Sequence, residues 1–423
     1  MATVTSPAAL EPQVDPSEVG FDADRLARLD RHLAGYVERG LRHGTLVVLA
    51  RGGKIFHVAA AGRRDVEAGL PVETDTIWRI YSMTKPVTSV AAMILYEEGA
   101  FSLWDPVSKY IPSFEDMRVY KQGSPLLTLT TAAAEPVLIW HLLTHMSGFT
   151  YSFQFNHAID AVYREAGFDP TLQDQDFDLA GACERLGSIP LLFEPGTDWN
   201  YSMSTDVLGH LVEVASGQPL DEFFEDRIFR PLGMTETGFR IEADDRPRLA
   251  ALYAADPITG QAGPNPGGDP ISTDRPRFLA GGHGLASTAR DYHRFAQMLL
   301  RGGELDGARI LSPAMIDFCT QNHTGTLRNI LFDVFAGYRH WEFYPANIGV
   351  GFFVRGEGNI PGLFGVLNSP RTFGGFGAGS TGFTVDPERD LSLAFLSAGL
   401  MEDSYHFERM GALADLVVSS MVK

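Results

Sequence analysis

The hydrophobic pattern divides the chain into a strand-rich start, a helical middle and a strand-rich end. Near the start, leucine and valine repeat at helical spacing and predict a helix over residues 21–40. Two apolar runs, over residues 45–50 and 54–61, then flank the pair Gly52 and Gly53. A glycine pair between two such runs is typical of a β-hairpin with a primed turn.

The middle of the chain is predicted to be mostly helical. Apolar residues recur there at helical spacing over residues 87–98, 137–144, 206–215 and 220–228. The stretch 253–274 is rich in glycine and proline, which predicts a surface loop.

The last third of the chain returns to strands. Thr288 fits the capping box that opens a helix over residues 289–300. Two apolar runs over residues 381–385 and 391–396 predict a second hairpin, and a closing helix is predicted over residues 403–421.

Strands at both ends with helices between them predict an α+β architecture. The simplest arrangement is an antiparallel sheet built from both chain ends and flanked by helices, with a mainly helical inserted domain. The functional site is expected at the junction of the two domains, where clefts form most often. The predicted division is an N-terminal arm at residues 1–16, an α/β domain from residues 17–86 and 276–423, and a helical domain at residues 87–275.

The composition excludes some functions without identifying one. Of 423 residues, 44% are hydrophobic and 21% are charged, as in ordinary globular proteins. The formal net charge of −19 argues against nucleic acid and anionic membrane surfaces as partners. Cys183 and Cys319 have no metal or redox spacing and are expected to be free thiols in a reducing compartment. We find neither a signal-peptide pattern nor an apolar run that could span a bilayer, so the expected location is the cytoplasm.

The clearest chemical signal is a serine and a lysine just before the helix predicted over residues 87–98. Ser82 is expected in the first turn of a buried helix, with Lys85 three residues on, which places hydroxyl and ammonium on one face. The N-terminus of a helix also offers unpaired backbone N–H groups. A serine nucleophile needs both a neighbouring base and donors for an oxyanion. The alternative is a capping hydroxyl beside a solvated lysine, which the spacing alone leaves open.

Three other patterns are weaker. The sequence from Gly377 to Gly382 fits a dinucleotide-binding fingerprint, but a strand is predicted after it where that motif requires a helix. His141 and His145 are spaced to share a helix face, yet they lack the glutamate of a zinc-peptidase motif, so we expect structural roles. The sequence contains no Gly-x-Ser-x-Gly elbow, which argues against an α/β-hydrolase.

Four segments, taken in order, resemble a known family. They are Ser82–Lys85, Trp140–Phe149, Glu194–Ser202 and Gly281–Thr288. Together they resemble the penicillin-recognising serine hydrolase superfamily, which includes class C β-lactamases and D-Ala-D-Ala peptidases. Within it the chain looks most like the family VIII carboxylesterases. The resemblance implies a β-lactamase/transpeptidase-like fold, which agrees with the arrangement predicted above.

The resemblance also implies a Ser–Lys–Tyr catalytic centre. Tyr201 occupies the position of the family's tyrosine, after a Pro-Gly-Thr sequence and before a helix. A phenol is a poor base at neutral pH unless a neighbouring ammonium such as Lys85 stabilises the phenolate, and either group could then accept the Ser82 proton. By the same resemblance, the backbone N–H groups of Ser82 and Ala378 would form the oxyanion hole. No metal or organic cofactor is implied.

Two positions depart from the family pattern. The strand motif that begins with a large or charged residue falls on Gly375-Phe376-Gly377, and glycine cannot hold a substrate carboxylate as that residue does. Its remaining role would be to let the strand approach the substrate closely. The family's Tyr-x-Asn pattern ends here in Met203, so a substrate-binding amide is also missing. Both losses favour a neutral ester over a β-lactam.

Aromatic residues cluster in two segments, 151–163 and 332–364, without clear periodicity. Irregular core packing and an apolar acyl pocket both fit this pattern, and the candidate pocket residues lie around Phe153 and Phe352.

The sequence therefore predicts a serine carboxylesterase that acts on small-molecule esters with short-to-medium acyl chains through an acyl-enzyme on Ser82. A β-lactamase, a D-amino-acid peptidase or amidase, or an acyltransferase to an alcohol or amine could use the same centre. A catalytically silent relative is disfavoured because Ser82, Lys85 and Tyr201 are all present. A monomer and a homodimer both remain open.

Overall fold

The computed structural model describes residues 10–121, 129–154, 157–168, 175–256, 259–265, 271–341, 346–357, 363–401 and 403–422. Within these ranges the helices are α1 (Ala23–Glu38), α2 (Thr84–Glu97), α3 (Ile139–Leu143), α4 (Ala158–Glu165), α5 (Leu179–Gly187), α6 (Ser204–Ser216), α7 (Leu220–Phe224), α8 (Arg230–Leu232), α9 (Ala289–Leu300), α10 (Pro313–Cys319), α11 (Ile330–Tyr338) and α12 (Asp403–Val418).

The strands are β1 (Gly44–Arg51), β2 (Lys54–Asp65), β3 (Leu70–Pro71), β4 (Ile77–Arg79), β5 (Arg118–Tyr120), β6 (Thr130–Ala132), β7 (Tyr253–Ala255), β8 (Ala262–Pro264), β9 (Ala286–Thr288), β10 (Glu304–Leu305), β11 (Ala308–Arg309), β12 (Asn347–Ile348), β13 (Phe353–Val354), β14 (Phe373–Gly377), β15 (Thr381–Asp386), β16 (Leu391–Ser397) and β17 (Gly399–Leu400).

One eight-stranded sheet joins the two ends of the chain. Its order is β12-β13-β14-β15-β16-β1-β2-β3, and every neighbouring pair is antiparallel. The N-terminal strand β1 pairs with the C-terminal strand β16, with Thr45 opposite Ser397 and Arg51 opposite Leu391. Strands from both ends therefore meet in one ladder, which confirms the predicted sheet.

The two predicted hairpins are also confirmed. Gly52 and Gly53 connect β1 to β2 with φ values of 60° and 74°. Two consecutive positive φ values are the requirement of a type I′ turn, which glycine meets without strain. The second hairpin joins β15 to β16 as the sequence predicts.

Helices cover both faces of this sheet. Phe383 on β15 packs against Tyr292 of α9, with ring centroids 5.0 Å apart. A Cβ atom on its neighbour Gly382 would lie only 2.7 Å from the Cε atom of Met410 on α12. Because successive residues of a strand point to opposite faces, α9 and α12 lie on opposite sides of the sheet.

Helix α2 carries the site into the interior. It contacts α6 and α7, and every residue from Thr84 to Leu95 is buried, the polar ones included. A helix that is buried all round belongs to the centre of a protein rather than to its surface. Lys85 is therefore held away from water by its position in the fold.

Two local predictions need correction. The predicted loop at 253–274 contains β7 and β8, which pair with each other, and β7 also pairs with β17; residues 257–258 and 266–270 lie outside the described ranges. The predicted helix over 220–228 is interrupted, because α7 passes into a π-helical turn at Glu225–Phe229. Helix α4 overlaps the aromatic segment 151–163 and lies in the part of the chain that was predicted to be mostly helical.

Candidate active site

Ser82 and Lys85 lie together at the start of α2. Ser82 is in a 3₁₀ turn, Tyr81–Met83, that runs directly into the helix, and not in the first helical turn as expected. Lys85 Nζ donates a hydrogen bond to Ser82 Oγ at 3.2 Å. Tyr81, just before the serine, has a φ of 44°, a conformation that non-glycine residues adopt rarely and that clusters at functional sites. The serine is only partly buried, whereas the lysine is enclosed.

The surroundings of Lys85 make it a base near neutral pH. Burial lowers the pKa of its ammonium from 10.5 to about 7, and the negative charge of Asp206 partly opposes that shift. Nζ also donates to the carbonyl oxygen of Gly282 at 2.8 Å. With a pKa near 7, a substantial fraction of the amine is neutral at pH 7 and can accept a proton from the serine.

Tyr201 completes a contiguous group with this pair. Its ring is buried on the loop that enters α6, and Lys85 Nζ lies 4.4 Å from the ring centroid. A cation over an aromatic face at this distance is attracted to the ring. The structure therefore brings the lysine against both the serine and the tyrosine that the sequence selected.

The turn that contains Ala378 presses against the segment leading to Ser82. A Cβ atom on Gly377 would lie 2.1 Å from the carbonyl oxygen of Ile80, and one on Gly379 would lie 3.0 Å from the Tyr81 ring. Only glycine permits such close approach. Ala378, between the two glycines, is thus held against the segment that leads to Ser82, and an oxyanion hole would need its N–H group on that side.

Helix α12 anchors the other side of this turn. Arg409 Nη2 donates to the carbonyl oxygen of Ser380 at 2.7 Å, and His406 Nε2 lies 2.9 Å from the carbonyl oxygen of Thr381. Nδ1 of the same histidine lies 2.8 Å from Arg409 Nη2 and accepts from it, which leaves Nε2 to carry the proton. These buried hydrogen bonds from α12 hold the turn after Ala378 in place.

Gly375 and Phe376, both predicted to contact substrate, lie on different sides of β14. A Cβ atom on Gly375 would meet the Phe383 ring at 3.0 Å and Pro86 at 3.4 Å. Phe376 points the other way, with its ring centroid 6.2 Å from that of Tyr201. The register therefore assigns the Tyr201 side to Phe376, and the absence of a side chain at Gly375 serves close packing with α2 and β15.

Aromatic rings surround Tyr201 on several sides. Phe353 lies 6.0 Å from it in a stacked arrangement and Phe332 lies 6.3 Å away. Phe352, in the same predicted aromatic segment, instead packs against Phe373 in the sheet. The segment 332–364 thus contains both of the alternatives left open by the sequence, a wall beside Tyr201 and core packing.

Phe153 lies at the outer edge of the same group. Its side chain is 42% exposed and stacks on the buried Tyr151, with centroids 4.8 Å apart. Tyr151 in turn lies 5.9 Å from Tyr201, and Lys85 Nζ is 5.3 Å from its centroid. Phe153 therefore approaches Tyr201 and Lys85 through its contact with Tyr151.

Met203 is buried at the N-cap of α6, where its N–H group donates to the Thr150 carbonyl at 3.3 Å.

The sequence did not single out Tyr151 or Asp206, and it gave His145 a structural role on a shared helix face with His141. That face does not exist, because α3 ends at Leu143 and His145 has a φ of 55°. The His145 ring lies 4.9 Å from that of Tyr201 in a tilted arrangement, and its Nδ1 accepts from the N–H group of Ser202 at 3.2 Å. Burial and the charge of Lys85 lower its pKa well below the usual value, so the ring is neutral.

Other predicted features have plain outcomes. Strand β15 includes Gly382 and continues to Asp386, so a strand stands, as predicted, where a dinucleotide site requires a helix N-terminus. Within the described ranges, no three histidine, cysteine or acidic side chains converge as a metal-binding group. In the same part of the chain, no helix has the length and apolar character needed to cross a membrane. Cys183 and Cys319 are free and buried, as predicted.

Known proteins are similar in sequence to this chain over more than half of its length. The beta-lactamase family profile matches residues 29–417. Protein Rv1367c of Mycobacterium tuberculosis is 35% identical over 362 residues, which are 85% of this chain and 86% of that protein. Esterase EstB of Burkholderia gladioli is 37% identical over 227 residues, which are 53% of this chain and 55% of EstB.

The fold is shared with a solved hydrolase. EstCE1, a hydrolase with promiscuous acyltransferase activity, superposes with a TM-score of 0.75 at 24% identity, over 93% of this chain and 99% of that chain. This likeness confirms the β-lactamase/transpeptidase-like fold. The family profile, which spans residues 29–417, shows that the chain belongs to the beta-lactamase family.

Proposed function

We propose that this chain is a serine carboxylesterase, active on esters with short-to-medium acyl chains, and that Ser82 is its nucleophile. The observation that carries the proposal is the hydrogen bond from Lys85 to Ser82, in a site where burial lowers the pKa of the lysine to about 7. An amine of that pKa is matched to proton transfer at physiological pH. The similarity to esterase EstB supports an ester as the substrate.

The proposed acylation begins with the attack of Ser82 Oγ on the ester carbonyl carbon. Its proton passes to Lys85, or to Tyr201 as phenolate, while the carbonyl electron pair moves onto oxygen. The N–H groups of Ser82 and Ala378 stabilise that oxyanion. Collapse breaks the bond to the alcohol, which leaves with the proton. Water then attacks the acyl-enzyme by the same route, releasing the acid and restoring the serine hydroxyl.

The side chains around the centre favour a neutral acyl group. Phe332, Phe353 and Phe376 approach Tyr201, and an apolar wall of this kind gains free energy from each buried methylene of an acyl chain. Met203 stands where, by the family resemblance, β-lactamases have the asparagine that binds a substrate amide. These features support an ester over a β-lactam or a peptide.

Acyl transfer to an alcohol or amine is the second candidate, because it needs the same acyl-enzyme. EstCE1, which shares the fold, is named for a promiscuous activity of this kind. The two outcomes differ only in which nucleophile reaches the acyl-enzyme. Adding a primary alcohol during ester turnover separates them, since a transferase forms a new ester and a strict hydrolase forms only the acid.

The proposal is tested by hydrolysis of p-nitrophenyl butyrate beside nitrocefin. We expect the wild-type protein to hydrolyse the ester much faster than the β-lactam, and Ser82→Ala to lose the ester activity. Ser89→Ala is a matched control, because Ser89 is a buried serine farther along α2. Ester hydrolysis that survives in Ser82→Ala would contradict the proposal, and equal turnover of nitrocefin would favour a β-lactamase.

We also propose a cytoplasmic location. Its support is the pair of buried free thiols, Cys183 and Cys319, which suits a reducing compartment. Fractionation of cells that produce the protein tests it, and recovery of the protein outside the cytoplasmic fraction would contradict it.

A further inference from the structure

We propose that Asp206 is a positioning residue that holds Lys85 in place through Gly282 and supplies the counter-charge when the lysine accepts the serine proton. The proposal rests on the proposed function, because it assigns a role in the same proton transfer.

The link between the two side chains is a single glycine. Asp206 lies in the first turn of α6, is 1% exposed, and its Oδ1 accepts the N–H group of Gly282 at 2.9 Å. The carbonyl oxygen of the same glycine accepts from Lys85 Nζ at 2.8 Å. The carboxylate therefore fixes the backbone that directs the amine toward Ser82.

The turn that contains Gly281 and Gly282, the glycine turn, contacts both α2 and α6. Thr88 Oγ1 on α2 donates to the carbonyl oxygen of Gly281 at 2.6 Å. A Cβ atom on Gly281 would lie 2.9 Å from the Thr205 carbonyl on α6, and one on Gly282 would lie 2.7 Å from Asp206 Oδ2. Glycine is needed at both positions for this close approach. The turn is thus clamped between the helix of the lysine and the helix of the aspartate.

The negative charge of Asp206 acts on Lys85. Its second oxygen, Oδ2, accepts no hydrogen bond from the described residues. A buried carboxylate is costly unless a cation lies near it, and Lys85 is the cation here, because the charge of Asp206 raises its pKa against the effect of burial. When Ser82 gives its proton to the neutral amine, the ammonium that forms gains this stabilisation.

Four other titratable groups that face Lys85 or Asp206 are uncharged near pH 7. Burial raises the pKa of Tyr151 and Cys183 and lowers that of His145 and His283. Asp206 is the acid among the described groups that act on Lys85. The groups on neighbouring elements are Tyr151 and His145 on the segment after α3, Cys183 on α5, Tyr201 before α6 and His283 after the glycine turn.

The variant Asp206→Asn tests the charge separately from the hydrogen bond. It keeps an oxygen for the Gly282 N–H group and removes the negative charge, so the pKa of Lys85 should fall below about 7. Because activity requires the neutral amine, the rising limb of kcat/KM against pH should move about one unit or more to lower pH. The pH dependence of Ser82 labelling by a fluorophosphonate should move in the same direction.

Two controls assign the effect. Asp291→Asn alters another buried carboxylate that accepts a backbone N–H group, that of Glu236 at 2.7 Å, and should leave the limb in place. His283→Gln removes a nearby imidazole whose titration could also produce the rising limb, and we expect the limb to remain.

The possible outcomes separate the two proposals. Absence of labelling at Ser82 in the wild-type protein would overturn the proposed function. If Ser82 is labelled but the rising limb of kcat/KM does not move in Asp206→Asn, the role of Asp206 alone is overturned. Loss of that limb in His283→Gln would overturn it as well.

Discussion

Lys85 Nζ lies 3.2 Å from Ser82 Oγ and 4.4 Å from the centroid of the Tyr201 ring. The amine thus connects the serine to the phenol, and it is the group through which a change at either residue reaches the other. Because its pKa is close to 7, small changes in its surroundings alter its charge at physiological pH.

Removal of the Tyr201 hydroxyl should reduce catalysis without unfolding the site. Tyr201→Phe keeps the ring that packs on His145 and Lys85, so we expect an unchanged thermal midpoint. Loss of one member of the proton-transfer group should lower kcat/KM for p-nitrophenyl butyrate by about 10²–10⁴. Tyr163→Phe is the control, because Tyr163 is equally buried but its hydroxyl contacts the Thr150 N–H group. Equal activity losses in the two variants would argue against a catalytic tyrosine.

The glycine before Ala378 should be indispensable. Gly377→Ala places a Cβ atom 2.1 Å from the Ile80 carbonyl oxygen, so the turn must move away from Ser82. Displacing one oxyanion donor should lower kcat about 10²-fold or more. Gly263→Ala, on β8, has open space at the corresponding atom and should keep full activity. Steady-state kinetics decide this, and an active Gly377→Ala protein would refute the predicted oxyanion turn.

Phe376 should limit the length of the acyl chain. Phe376→Ala opens space beside Tyr201 and should raise the preference for p-nitrophenyl octanoate over butyrate about tenfold, the gain from burying roughly two more methylenes. Phe373→Ala, on the same strand but against Phe352, should lose similar stability and leave the preference unchanged. A similar change of preference in both variants would show that general loosening is responsible.

Lys85 should impose a stability cost that depends on pH. The pKa of Lys85 is about 7 in the folded protein and 10.5 in the unfolded chain. Between pH 7 and 10.5 the unfolded chain therefore binds more protons than the folded protein, and the stability of the fold rises with pH. Lys85→Met removes the titration. Its thermal midpoint relative to wild type should therefore be most favourable at pH 7 and less so at pH 9. A difference that is constant, or that grows toward pH 9, would contradict the lowered pKa.

The sequence predicted those features whose signals are local. Gly52-Gly53 marks the first hairpin, and the three-residue spacing of Ser82 and Lys85 identifies the pair that the structure brings into contact. In each case the residues are close in the chain, so secondary structure alone determines their geometry. Tyr201 is different, because its identification came from a resemblance to a family and not from spacing.

The features that the sequence missed depend on contacts between distant segments. Asp206 looks like an ordinary acidic residue in the first turn of a helix, and its relation to Lys85 exists only through the turn at Gly282. The orientation of Gly375 also depends on a neighbouring strand, since its pairing with Phe383 decides which side of β14 faces Tyr201. A shift of one residue would exchange the two sides, and no local pattern fixes it.

The most direct test of the account is to locate the activated serine. The protein would be treated with a fluorophosphonate at pH 8, and the modified residue identified by peptide mass spectrometry in the wild type, Ser82→Ala and Lys85→Met. We predict a single adduct on Ser82 in the wild type, none in Ser82→Ala and strongly slowed labelling in Lys85→Met. An adduct on a different serine, or ester hydrolysis by a protein that cannot be labelled at Ser82, would contradict the role of Ser82 as the nucleophile.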